Sequence, residues 1–137
     1  MDKPIAPDIA IDVAIAPDVR AARARFLASL TEARGLTAAT ADAYERDTRQ
    51  FLVFLAKHLG EPPRLDGLSA LQPSDIRAFL AERRRAGAGP RTLARGLAGV
   101  RAMLTAFERH HGINAAAARA VDAPGKLKRL PRPVAQN

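Results

Sequence analysis

Leu93, Leu97, Val100, Leu104 and Phe107 follow one another by four, three, four and three residues. At 100° per residue on an α-helix, all five fall within roughly 80° of one another. A β-strand, whose side chains alternate faces every two residues, would scatter them. The same three-and-four recurrence appears earlier in the chain. Val19, Ala22, Phe26, Leu30 and Ala33 mark one stretch. Tyr44, Thr48, Phe51, Leu52, Leu55 and Leu59 mark a second, and Ile76, Phe79 and Leu80 a third. No stretch shows strand alternation. Ala, the residue that enters a helix at the lowest entropic cost, occurs 30 times in 137 positions. The chain therefore reads as all-α, with four main helices joined by short connections.

Gly, Pro and capping residues set the expected bounds. The first helix runs from about residue 18 to 34, with Asp18 as N-cap and Gly35 after its end. The second starts after Thr37 and stops at Gly60 and the Pro62–Pro63 pair, so residues 60–72 read as a loop. A third begins near Pro73, with Asp75 in its first turn, and ends in Arg83-Arg84-Arg85 before Gly87. The fourth spans about 90 to 110, and a short fifth follows Asn114. Gly96 and Gly99 each cost about 1 kcal/mol against Ala inside a helix. Close approach by another helix or by a DNA backbone would explain them, and so would tolerated drift.

Charge divides the chain. Residues 1–19 hold one Lys and four Asp, net −3, while residues 20–137 hold 21 basic and 10 acidic groups, net +11. Residues 1–18, broken by Pro4, Pro7 and Pro17, read as a flexible acidic arm. Residues 19–120 read as the helical body, and 121–137, with Pro124, Pro131, Pro133 and several cations, as an extended basic linker. A small body this basic attracts polyanions, nucleic acid first and an anionic membrane surface second. The chain has no Cys, which excludes disulfides and thiolate metal sites. It has no apolar run long enough to span a bilayer, and its N-terminus does not read as a signal peptide.

Enzyme chemistry finds no footing. His58, His110 and His111 have no metal-ligand spacing, Gly87-Ala88-Gly89 is too short for a phosphate loop and lacks a strand before it, and no nucleophile elbow occurs. The expectation is no catalytic residue, no metal and no cofactor. Phosphate binding is better served. Arg91 and Arg95 stand one turn apart, Thr92 can donate to a phosphate, and all three lie near a helix start that favours anions. Arg91, Arg95 and Arg109 fall within about 40° of one another opposite the apolar stripe, with the small Ala98 and Ala102 between them. The competing reading is an ordinary solvated helix face.

Taken in order, five stretches resemble the N-terminal core-binding domain of Xer-type tyrosine recombinases, which resolve chromosome dimers. Residues 26–30 (Phe-Leu-Ala-Ser-Leu) look like the opening helix of that domain. Residues 34–47 are similar to a family signature through Gly35, Leu36, Thr40, Tyr44 and Asp47. Residues 72–80 are similar to the third helix, residues 91–101 to the fourth, and residues 126–133 to the linker that leads to the catalytic domain. The likeness covers about residues 20–135. It implies an all-α, four- to five-helix orthogonal bundle of the SAM-like type. It also implies a DNA-binding domain that, with a catalytic domain, closes as a clamp around a recombination half-site.

The resemblance puts Thr40, Tyr44, Arg91, Thr92, Arg95 and Arg101 on the DNA, with Arg46 and Arg49 as further phosphate contacts. Tyr44 also sits on the apolar stripe, so a half-buried core tyrosine competes with that role. Arg101 lies about 80° around the helix from Arg91, so it could instead support the bundle. The implied partners are double-stranded DNA and further recombinase subunits, four on two DNA sites in the full-length enzyme, in the bacterial cytoplasm. The isolated domain is expected to be monomeric. The family's catalytic Arg–His–Arg set and nucleophilic tyrosine have no counterpart here: no H-x-x-R follows any His, and Tyr44, the sole tyrosine, lies in the wrong domain. The expectation is a chain without its catalytic domain, inactive by itself: either a fragment, which the linker-like end at 126–133 favours, or a short natural protein that has lost strand cleavage. Two other classes stay open, a small helical regulator, which would need a tight helix-turn-helix, and a helical protein-interaction module.

Overall fold

The computed structural model describes residues 11, 14–32 and 35–124. Among them the chain forms six helices and no strand: α1 (Pro17–Glu32), α2 (Ala38–Leu59), α3 (Leu65–Ser69), α4 (Pro73–Arg85), α5 (Pro90–His111) and α6 (Ala116–Arg119). Most residues of the expected apolar stripes are buried, but Leu59, expected on the stripe of the second helix, is 39% exposed, and Ala33 lies outside the described residues. Val19, Ala22, Phe26 and Leu30 of α1, Phe51, Leu52 and Leu55 of α2, and Ile76, Phe79 and Leu80 of α4 converge on α5. That helix contributes Leu93, Leu97, Val100, Met103, Leu104 and Phe107. The most extensive packing is between α2 and α5, and α1 lies against both. Phe51 and Phe79 meet edge to face with centroids 5.2 Å apart, joining α2 to α4.

The helix ends follow local chemistry. Thr37 caps α2, its Oγ1 accepting from the Thr40 N–H at 3.2 Å. Gln72 and Asp75 form a capping box at the start of α4, with Pro73 in the first turn. After α1, Gly35 takes a φ of 67° and the Leu36 N–H returns to the Leu30 carbonyl at 3.0 Å. The left-handed conformation at Gly35 is one that a residue without a Cβ adopts at no steric penalty.

Three expectations are corrected. Residues 60–72 are not one loop, because α3 forms within them and buries Leu68. The supposed arm at 1–18 is not all arm: Ile11, Ile15 and Ala16 are buried with the core. Asp18 is not the N-cap of α1, which already begins at Pro17. Its carboxylate instead accepts the Leu65 N–H at 3.2 Å, while the Ala16 N–H donates to the Pro63 carbonyl at 3.1 Å. The start of α1 is thereby tied to the start of α3. At the other end, Val121 is buried against the core. Residues 1–10, 12 and 13 of the expected arm and the linker-like stretch at 126–133 lie outside the described residues.

Candidate nucleic-acid interface

The outer side of α5 is built from what its buried stripe leaves over. Arg91, Arg95, Ala98 and Arg109 are exposed, with Ala102 and Thr105 half-buried between them. Two clefts flank this strip, and Ala98 lines both. Toward α2 lies a cleft of about 300 Å³ walled by Ala39, Thr40, Ala43 and Tyr44. Toward α1 lies an open groove of about 910 Å³, edged by Arg25 and Ser29 on one side and by Arg101, Thr105 and Arg109 on the other. Small residues along α5 keep the strip low between its two neighbours.

Gly99 explains how closely α2 and α5 approach. A Cβ at this position would sit 3.2 Å from the Asp47 Cβ and 3.7 Å from the Tyr44 ring, so a side chain would wedge the helices apart. Of the two readings of the glycines, close approach by another helix holds for Gly99. Gly96 has nothing within 4 Å of a built Cβ. The close approach brings the α2 carboxylate of Asp47 beside α5. Asp47 is 4% exposed. Its Oδ2 accepts from Arg95 Nε at 3.3 Å, and its Oδ1 lies 3.8 Å from Arg46 Nε. A buried carboxylate without cations would be costly, and here two arginines flank it.

The sequence-predicted residues divide into three groups. Thr40, Tyr44 and Arg95 share the α2–α5 cleft, and Arg91 and Thr92 lie one turn earlier on α5. Arg91 is exposed and has no hydrogen bond or ion pair among the described residues. Tyr44 is half-buried with its ring edge-on to Phe26, centroids 6.0 Å apart, so it serves the core and still borders the cleft. Arg46 is on α2 beside Asp47. Arg49 and Arg101 are engaged within the fold. Arg49 donates to both Glu45 carboxylate oxygens, at 2.9 and 3.2 Å. Arg101 donates to the backbone carbonyls of Ala118 and Val121, fastening α6 and the chain after it to α5.

Arg23, not among the expected site residues, is the most buried arginine among the described residues, at 9% exposure. It donates to Thr48 Oγ1 at 3.2 Å, to the Glu45 carbonyl at 2.9 Å and to the Glu45 carboxylate at 3.0 Å. Burial by itself would raise the Glu45 pKa. The hydrogen bonds and charges of Arg49 and Arg23 outweigh it and hold the carboxyl below its usual value. A signal was present in the spacing: Arg23 lies four residues after Val19 and three before Phe26, on the buried stripe itself. At the far end of α5, Arg119 grips Glu108 with two hydrogen bonds of 2.9 and 3.2 Å. With the Ala115 N–H, this keeps Glu108 ionised to lower pH than usual.

Among the described residues, no cluster of His, Asp and Glu side chains could hold a metal ion, and no helix is long and apolar enough to cross a membrane. What the site offers is a low, basic helix face bordered by a helix start and free of buried acid apart from Asp47. Residues 24–111 match the family model of the phage integrase N-terminal SAM-like domain, and the chain belongs to that family. Among curated proteins it is similar to the tyrosine recombinase XerC of Rhizobium meliloti (strain 1021), with 58% identity over 116 residues. It is also similar to the proteins of that name from Mesorhizobium japonicum, at 52% identity, and Brucella suis biovar 1, at 54%. These alignments take in 85–86% of the chain but span only 36–38% of the relatives' lengths. No solved structure matches significantly. The all-α fold and the likeness to the N-terminal domain of Xer-type recombinases, both expected from the sequence, are borne out.

Proposed function

We propose that this chain is the DNA-gripping domain of a site-specific tyrosine recombinase, and that it lays the outer face of α5 and the start of α2 into the major groove of a recombination half-site. The observation that carries the reading is the pair Arg91 and Arg95, one helical turn apart on the exposed face of a bundle whose family is that of recombinase N-terminal domains. Arg91, Thr92 and Arg46 contact phosphates, Thr40 adds a hydroxyl at the cleft rim, and Arg49 and Arg101 support the surface from behind. The chain performs no strand cleavage by itself. A second domain closes the clamp and supplies the chemistry, and four subunits on two sites exchange strands to resolve chromosome dimers in the bacterial cytoplasm. Alone, the domain is a monomer.

The test is binding of a short duplex by fluorescence anisotropy across a salt series. Affinity should fall steeply as salt rises, because each neutralised phosphate releases counterions. Absence of binding even at low salt would overturn the reading and leave a helical interaction module in its place. Strand cleavage by the chain alone would overturn its assignment as a non-catalytic domain.

A further inference from the structure

Arg91 and Arg95 share one face of α5 but are held differently. Arg91 has no partner among the described residues. Arg95 is half-exposed, with 47% of its side chain open, yet its Nε is fixed on a carboxylate that is itself 4% exposed. Asp47 has little freedom to move, because its Cβ lies where it would be 3.2 Å from a Cβ at Gly99 on the facing helix, and Arg46 flanks its other oxygen. The pairing partly cancels the charge of Arg95, which is a poor arrangement for a group whose task is to neutralise phosphate. It is a good arrangement for fixing direction. An unheld arginine gives up rotamer entropy when it is ordered. Anchoring Nε in advance removes part of that cost and leaves both Nη groups as a fork. Such a fork matches the paired O6 and N7 acceptors of guanine in the major groove.

We infer that Asp47 is a positioning residue that presents Arg95 to the Hoogsteen edge of a single guanine, so that Arg95 reads sequence while Arg91 supplies sequence-independent grip. This inference rests on the DNA-binding reading above and adds to it a division of labour between two neighbouring arginines. The small walls of Ala43, Ala98 and Gly99 leave room for a base edge to come close to the fork.

The experiment selects bound duplexes from a library randomised over about one helical turn, using the whole chain and four variants: Arg91→Ala, Arg95→Lys, Arg95→Ala and Asp47→Asn. The wild type should favour guanine at one position on the order of tenfold over other bases. Arg95→Ala and Asp47→Asn should both erase the preference at that same position. Asp47→Asn should nevertheless bind arbitrary duplex at least as tightly as the wild type, since it removes a negative charge. Simple structural damage would weaken both. Arg95→Lys keeps the charge on an exposed side chain and tests the fork independently of Asp47; it should keep the salt slope and lose the preference. Arg91→Ala should weaken all sequences alike. If wild type binds with normal salt dependence but shows no guanine preference, or if Asp47→Asn or Arg95→Lys keeps it, the inference is overturned while the DNA-binding reading stands. No binding at all overturns both.

Discussion

Arg23 on α1 and Arg91 on α5 carry the same guanidinium in opposite settings. Arg23 is 9% exposed, bonded to Thr48 and Glu45, and joins α1 to α2. Arg91 is exposed, with no acceptor among the described residues. The difference comes from where each falls relative to the apolar stripe of its helix. Arg23 lies on the stripe of α1, so folding desolvates it, and it must be fully hydrogen-bonded to be tolerated. Arg91 lies opposite the stripe of α5 and stays in water. Net charge therefore says little about binding until the cations engaged within the fold are set aside. In α1 and α2, Arg23 and Arg49 share Glu45. On α5, Arg91 is uncommitted and Arg95 is tethered by one nitrogen.

The comparison breaks first at Arg23. Arg23→Ala should destabilise the chain by about 2–3 kcal/mol, under the range for a fully buried pair, because Glu45 is partly exposed and keeps Arg49. Thermal unfolding should show a drop of roughly 10 °C or more. An unchanged transition would mean that the buried network contributes nothing. Arg91→Ala should shift the same transition by no more than about 0.5 kcal/mol.

The two glycines of α5 sharpen the contrast between its faces. Gly99→Val should cost about 2 kcal/mol by overpacking against Asp47 and Tyr44. Gly96→Ala, with open space around a new Cβ, should instead stabilise by up to about 1 kcal/mol. Urea unfolding separates the two, and equal effects would contradict the assigned α2–α5 contact.

The smallest effect is in acid. The Glu45 pKa is lowered from 4.5 in the folded chain. The unfolded chain thus binds more protons around that pH, so the contribution of Glu45 is present above pH 4.5 and lost as pH falls through the lower folded value. Asp75, lowered from 3.8, adds a further loss at more acid pH: burial opposes ionisation there, but the Gln72 N–H and His58 outweigh it. Denaturant midpoints measured from pH 7 to 3 should fall less steeply for Glu45→Gln than for the wild type. Parallel curves would remove Glu45 from the account.

The helices of this fold are legible because their signals are local. The stripe of α5, the Thr37 cap and the turn at Gly35 all lie within a few residues of the structure they dictate. Other features depend on neighbours distant in sequence. Ile11 and Ile15 carry a helical spacing, but Pro7 and Pro17 around them suggested a mobile arm. α3 is too short to show a period and buries only Leu68. The candidate face was legible as the side of α5 opposite its stripe. The tether between Asp47 and Arg95 was not, because 48 residues separate them and a charged residue on a helix reads as solvated until its neighbour is known.

The central claim is that Arg91, with no partner among the described residues, grips nucleic acid, whereas Arg49, bonded to Glu45, does not. The most direct measurement compares Arg91→Ala with Arg49→Ala in duplex binding over a range of salt concentrations. Arg91→Ala should reduce the slope of log affinity against log salt by about 0.9, the loss of one phosphate contact, and Arg49→Ala should leave it unchanged. Equal slopes for Arg91→Ala and the wild type, or a loss confined to Arg49→Ala, would contradict the account.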